Sequence, residues 1–115
     1  MFKYRLTHYY LCAWMRDCQA VQLPKVEKKA LLRCSSQVQH YWNAFLSEAE
    51  SGKKSARLFT ALVYFKDCHE MLIKQKILTA DSQDLWNHSE MVEKRLGDIF
   101  LSLADCENGQ MRMLG

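Results

Sequence analysis

The sequence predicts an all-α protein, an antiparallel up-down four-helix bundle, and three observations carry that prediction. The 115 residues hold one proline and four glycines, too few turn formers for the roughly seven closely spaced strands of a β-sandwich or barrel. Hydrophobic residues make up 49% and charged residues 25%, the balance of a chain that folds around its own core. Apolar side chains recur every three or four residues over long stretches, which is the period of a helix face and not of a strand.

In the first stretch Leu6, Tyr10, Trp14, Cys18 and Val21 form the apolar face, with Lys3, Arg5, Thr7, Arg16 and Gln19 around much of the rest. The helix is expected to end before Pro24, which lacks the N–H an interior position needs. Pro24 suits the first turn of a second helix, where that N–H has no partner anyway. Leu31, Cys34, Val38, Tyr41 and Phe45 then step by 3, 4, 3 and 4, a seam for neighbouring helices that Trp42 and Leu46 widen. Gly52, able to adopt the left-handed conformation, is the expected stop. Ser35 and Ser36 mark a point where one long helix can break into two.

Over 53–78, Ala56, Leu58, Phe59, Leu62, Phe65, Cys68, Met71 and Leu72 predict a third helix. The run 59–65 has strand propensity, but helical spacing continues without a break beyond it, so length decides for a helix. Thr79, Asp81 and Ser82 offer capping oxygens, and Asp84 a first-turn charge, for a fourth helix. Its seam of Leu85, Ser89, Val92, Leu96, Ile99, Leu103 and Cys106 is the most regular in the chain. Gly97 costs about 1 kcal/mol against alanine there, so a bulky neighbour packed close to it is expected. Glu107, Asn108 and Gly109 are the expected end, giving a single domain over 1–109 and a flexible tail over 110–115. Short connections make sequential helices antiparallel neighbours.

Function is narrowed mainly by exclusion. Phosphate-cradling glycine loops, nucleophile elbows and metalloprotease helices are absent, as is the Glu-x-x-His pair of dinuclear bundles, so no metal or cofactor is expected. Five scattered cysteines without a CxxC pair read as small buried hydrophobes of a reducing, cytoplasmic compartment. No apolar run approaches the ~20 residues of a membrane span. Asp84 and His88, four residues apart, are expected to meet on the surface. His69, between Cys68 and Glu70, is where a hydrolase would be centred; a packed histidine with local partners is the favoured reading, and the chain is expected to be no enzyme.

Two surfaces remain. The net charge is +3, but residues 1–57 hold ten basic and four acidic side chains, and residues 58–115 hold six and nine. Either the halves attract each other inside the bundle, or a basic face stays open to an acidic partner. Aromatic residues crowd more than one face of the first helix, a mark of a protein interface. The leading expectation is therefore an adaptor, small chaperone, inhibitor or assembly subunit that binds another protein or a second copy of itself. Tyr4, Tyr9, Tyr10 and Trp14 would be its anchors, with Arg5 and Arg16 at the rim. The alternative is a nucleic-acid-binding subunit that contacts phosphates through Lys25, Lys28, Lys29, Lys53, Lys54 and Arg57. Those lysines fall into clusters at opposite ends of the second and third helices, which argues against one compact patch.

Overall fold

The computed structural model describes the backbone of residues 3–75 and 83–114 and the side chains of 3–75 and 83–103. It contains α1 (Arg5–Ala20), α2 (Lys25–Ser47), α3 (Ser51–Lys74) and α4 (Gln83–Leu114), with no strand among the described residues. Cross-helix contacts fix the direction of each pair. His8 of α1 meets Trp42 of α2, while Gln19 at the other end of α1 meets Lys28. Between α2 and α3 the contacts are Cys34 with Tyr64 and Phe45 with Lys54. Between α3 and α4 they are His69 with Ser89 and Phe59 with Phe100. The ring closes where α4 returns to α1, at His88 with Asp17 and Arg95 with Tyr10. In every pair the numbers run in opposite senses, so all neighbours are antiparallel, as expected of an up-down bundle. The α2–α3 contact is the most extensive and the α1–α2 contact the least.

The core forms around Trp14 on Phe65, ring centroids 4.8 Å apart, with Leu11, Leu31, Val38, Trp42, Phe45, Leu58, Leu72, Val92 and Leu96 buried around them. The expected α4 seam holds from Leu85 through Leu96; the Cys106 side chain lies outside the described residues. In α2, Trp42 takes the central place and Tyr41 moves to the flank, stacked on Tyr64 at 5.8 Å. The α1 face is turned from the expected one: Leu6 is 49% exposed, while Thr7 and Leu11 are buried. Successive steps of four residues overrun a 3.6-residue turn by about 40° each. A line traced back from Cys18 has therefore wound off the core face by the time it reaches Leu6. Phe59, also read as core, lies half out of the surface against Phe100.

The helices differ from expectation in four places. Gly52 lies in the first turn of α3; α2 stops earlier, where Glu48 turns extended and its N–H bonds to the Phe45 carbonyl at 3.3 Å. α2 is unbroken at Ser35 and Ser36, because the Ser35 hydroxyl donates to the Leu32 carbonyl one turn back and is satisfied within the helix. α4 runs through Glu107, Asn108 and Gly109 to Leu114, since glycine weakens a helix without stopping it and no proline follows. Gly97 has nothing within 4 Å of where a Cβ would stand, so the close neighbour expected there does not exist in this fold. The capping oxygens expected at Thr79, Asp81 and Ser82 lie outside the described residues; Asp84 is in the first turn of α4 as expected.

Among the described residues, no lysine or arginine pair joins the two oppositely charged halves. Among the described residues the ion pairs are Lys53 with Glu50 at 3.6 Å and His88 with Asp17 at 2.6 Å. Of the basic side chains of α1 and α2, Arg5, Arg16, Lys25, Lys29 and Arg33 are exposed to solvent. No described helix is long and apolar enough to cross a membrane.

Candidate functional site

α1 and α2 are fastened to each other near both ends of α1. At one end the Trp42 indole N–H donates to His8 Nδ1 at 3.0 Å. At the other, Lys28 donates through Nζ to the carbonyls of Gln19 and Val21, groups that the last turn of a helix leaves without an internal donor. Along this seam the molecular surface is recessed. The resulting groove, about 590 Å3, is lined by Arg5, His8, Tyr9, Cys12, Met15, Arg16 and Gln19 of α1 and by Gln39 of α2. These α1 residues recur at helical spacing, on the side away from the buried row of Thr7, Leu11, Trp14 and Cys18.

A second groove, of about 750 Å3, is lined by Leu23, Lys25, Lys28, Lys29, Leu32, Arg33 and Ser36. Lys25, Lys28, Leu32, Ser36 and Gln39 follow one another at intervals of three or four along one side of α2. Because Gln19 of the first groove meets Lys28 of the second, the two grooves run beside each other along the α1–α2 seam, forming a channel of roughly 21 Å at 1.5 Å rise per residue. Arg5, Arg16, Lys25, Lys28, Lys29 and Arg33 are its charged residues, and no carboxylate lines it among the described residues.

Inside the channel, the Trp42 bond requires a bare Nδ1 on His8, which places the imidazole proton on Nε2. That N–H faces Cys12 Sγ at 3.6 Å. In this tautomer His8 has no lone pair directed at the thiol, so the two form a positioned hydrogen bond and not a base with its nucleophile. Cys12 is partly exposed, whereas Cys18, Cys34 and Cys68 are buried. Burial, with Asp17 adding to it, pushes the Cys18 thiol up to about 12. Its hydrogen bond to Cys34, followed by burial, pushes the Cys68 thiol above the usual range. The same hydrogen bond holds the Cys34 thiol below its ordinary value, so iodoacetamide applied to the folded protein is expected to alkylate Cys12 while leaving Cys18 and Cys68 intact. Peptide mass mapping checks this, and early labelling of Cys18 or Cys68 contradicts it.

The six residues expected at a protein interface divide among three environments. Trp14 is fully buried against Phe65 and presents no surface to a partner, which corrects its reading as an anchor: its size made it the centre of the core. Tyr4 is half-buried on Phe45 at 5.2 Å and Trp42 at 6.1 Å. Tyr10 points to the α4 side, beneath the Arg95 guanidinium at 5.3 Å. Tyr9, 58% exposed, stands in the channel with Arg5 and Arg16. His8, Cys12, Met15, Gln19 and Gln39 had not been singled out. Their signal is the second helical row of α1, which is visible once the core row is placed on Leu11 instead of Leu6.

The lysines are not gathered. Lys25, Lys28 and Lys29 share the second groove, with Lys28 engaged at the end of α1. Lys53, Lys54 and Arg57 lie about 25 Å away at the opposite end of α2. There Lys53 pairs with Glu50, and Lys54 covers the Phe45 ring at 5.4 Å.

Elsewhere, His69 Nδ1 lies 3.3 Å from the buried Ser89 hydroxyl and its ring meets Trp86 edge-on at 5.4 Å, local partners of the kind expected for a packed histidine. His88 does not turn to Asp84: it takes Asp17 across the α1–α4 contact. That contact is partly buried. No group of three or more potential metal ligands occurs among the described residues. Comparison with protein-family models, curated proteins and solved structures finds no match to this chain.

Proposed function

We propose that this chain is a non-enzymatic binding module, of the adaptor, small-chaperone, inhibitor or assembly-subunit kind, which docks another protein on the channel between α1 and α2. The observation that carries this reading is the placement of Tyr9: a large ring, more than half exposed, set among Arg5, Cys12, Met15 and Arg16 in a concave seam. An exposed aromatic in a groove with arginines at its edge has the composition of a binding hot spot. Leu6, also exposed, extends the apolar surface beside it. The described cysteines are free thiols, which supports a reducing compartment such as the cytoplasm.

The test is a pull-down from source lysate at two salt concentrations, run beside Tyr9→Ala and Arg16→Ala. Truncating a hot-spot tyrosine is expected to weaken capture about 30-fold, equivalent to about 2 kcal/mol, with the helical circular-dichroism signal unchanged. Capture by both variants at the parent level overturns the reading. A second reading, phosphate-backbone contact, is favoured by one observation: Lys25, Lys28, Lys29 and Arg33 line one groove. It predicts an association that falls by orders of magnitude between low and moderate salt and ignores Tyr9→Ala.

A further inference from the structure

We infer that the occupant of the α1–α2 channel is an acidic, amphipathic helix of a partner protein, lying along about four turns of the seam. This inference rests on the binding reading above and specifies the chemistry of what binds. Charge is the first argument. The channel carries Arg5 and Arg16 on one side and Lys25, Lys29 and Arg33 on the other. The carboxylates of the same hairpin do not offset them: Asp17 is held by His88 on the α4 side, and Glu27 lies outside both linings. A ligand that stays in this field carries negative charge on both flanks.

Shape and backbone chemistry supply the rest. Tyr9 and Met15 in one groove, and Leu23 and Leu32 in the other, form an apolar floor, so the occupant presents an apolar stripe between its acidic flanks. A phosphate backbone would match the cations but leave that floor against polar groups. An extended peptide would bring unpaired backbone N–H and C=O groups to a surface made of helices, whose own backbone groups are already bonded internally. A helix satisfies its own backbone and fits between two others at ordinary packing distance. It also aligns residues at i, i+3, i+4 and i+7 with the floor.

The experiment measures fluorescence anisotropy of labelled peptides of about 18 residues titrated with the full chain. The first has leucines at i, i+3, i+4 and i+7 with glutamates on both flanks. A second keeps the leucines and exchanges glutamate for lysine, and a third keeps the glutamates and exchanges leucine for alanine. A single-stranded oligonucleotide is the fourth probe. The first is expected to bind at least tenfold more tightly than each of the others. Arg16→Glu is expected to weaken it tenfold while improving the lysine peptide, and Tyr9→Ala to weaken it at unchanged salt dependence. Equal binding of the glutamate and lysine peptides, or preference for the oligonucleotide, overturns the inference. So does a solution mass that grows with protein concentration and reverts in Arg16→Glu, which would make the occupant a second copy of this chain. If every peptide fails while Tyr9→Ala still abolishes lysate capture, the binding reading stands and the acidic helix is wrong; because the peptide comparison uses the parent protein, variant folding does not affect it.

Discussion

Replacing Trp14 by alanine is expected to cost about 3–5 kcal/mol of folding stability, against a change within about 0.5 kcal/mol for Tyr9→Ala. The two aromatics sit five positions apart on α1 and are indistinguishable by residue class, but Trp14 is enclosed against Phe65 and Tyr9 stands in solvent. Removing Trp14 deletes one of the two largest buried side chains of the core and leaves a cavity that neighbouring helices close only in part. A domain of this size is stable by about 5–15 kcal/mol, so the variant moves close to its unfolding threshold. Trp14→Phe is expected to be far milder, because the indole N–H it removes is buried without a hydrogen-bond partner among the described residues. Urea unfolding of the three variants measures this; equal losses for Trp14→Ala and Tyr9→Ala would show that the α1 face is assigned wrongly.

The second large effect is alkaline. Cys18 ionises near pH 9 when the chain is unfolded and only at about 12 inside the fold, where burial first and Asp17 next oppose the thiolate. The folded pKa is the higher one, so the contribution to stability is complete below pH 9 and is lost as pH rises from 9 towards 12. At about 1.4 kcal/mol per pH step, the loss by pH 12 is on the order of 4 kcal/mol. Cys68, raised by its hydrogen bond to Cys34 and by burial, acts in the same sense. Lysines and tyrosines titrate in the same window, so the readout is the difference between parent and Cys18→Ala in urea unfolding at pH 8 and pH 11. The variant is expected to show the flatter dependence. Identical slopes would place Cys18 in contact with solvent.

Much of this architecture is legible in the sequence, for reasons that differ by helix. The seams of α2 and α4 alternate steps of three and four, which stay on one face, and the buried side chains follow them closely. In α1 the traced line used repeated steps of four and drifted, which exchanged Leu6 for Thr7 and hid the second row containing His8, Cys12 and Met15. Gly52 and Gly97 were read through conformational and packing roles that glycine often fills; here neither meets a neighbouring atom where a side chain would begin. Of the site, Arg5, Tyr9 and Arg16 were recognisable because aromatic and arginine residues at an amphipathic helix suggest recognition. The channel itself was not. It is formed by residues far apart in sequence and is clasped by His8–Trp42 and Lys28–Gln19, hydrogen bonds between residues 34 and 9 positions apart.

Those fastenings give the seam a mechanical character. α1 is backed by α4 and α2 by α3, so the molecule resembles a book whose spine is the α3–α4 contact and whose covers are clasped at top and bottom. Widening the gap at the clasps breaks one or two hydrogen bonds, each worth about 0.5–1.5 kcal/mol; widening it midway, beside Cys12 and Met15, breaks none of them. The aperture is therefore held by these hasps at its two ends and left unclasped by them midway along its length.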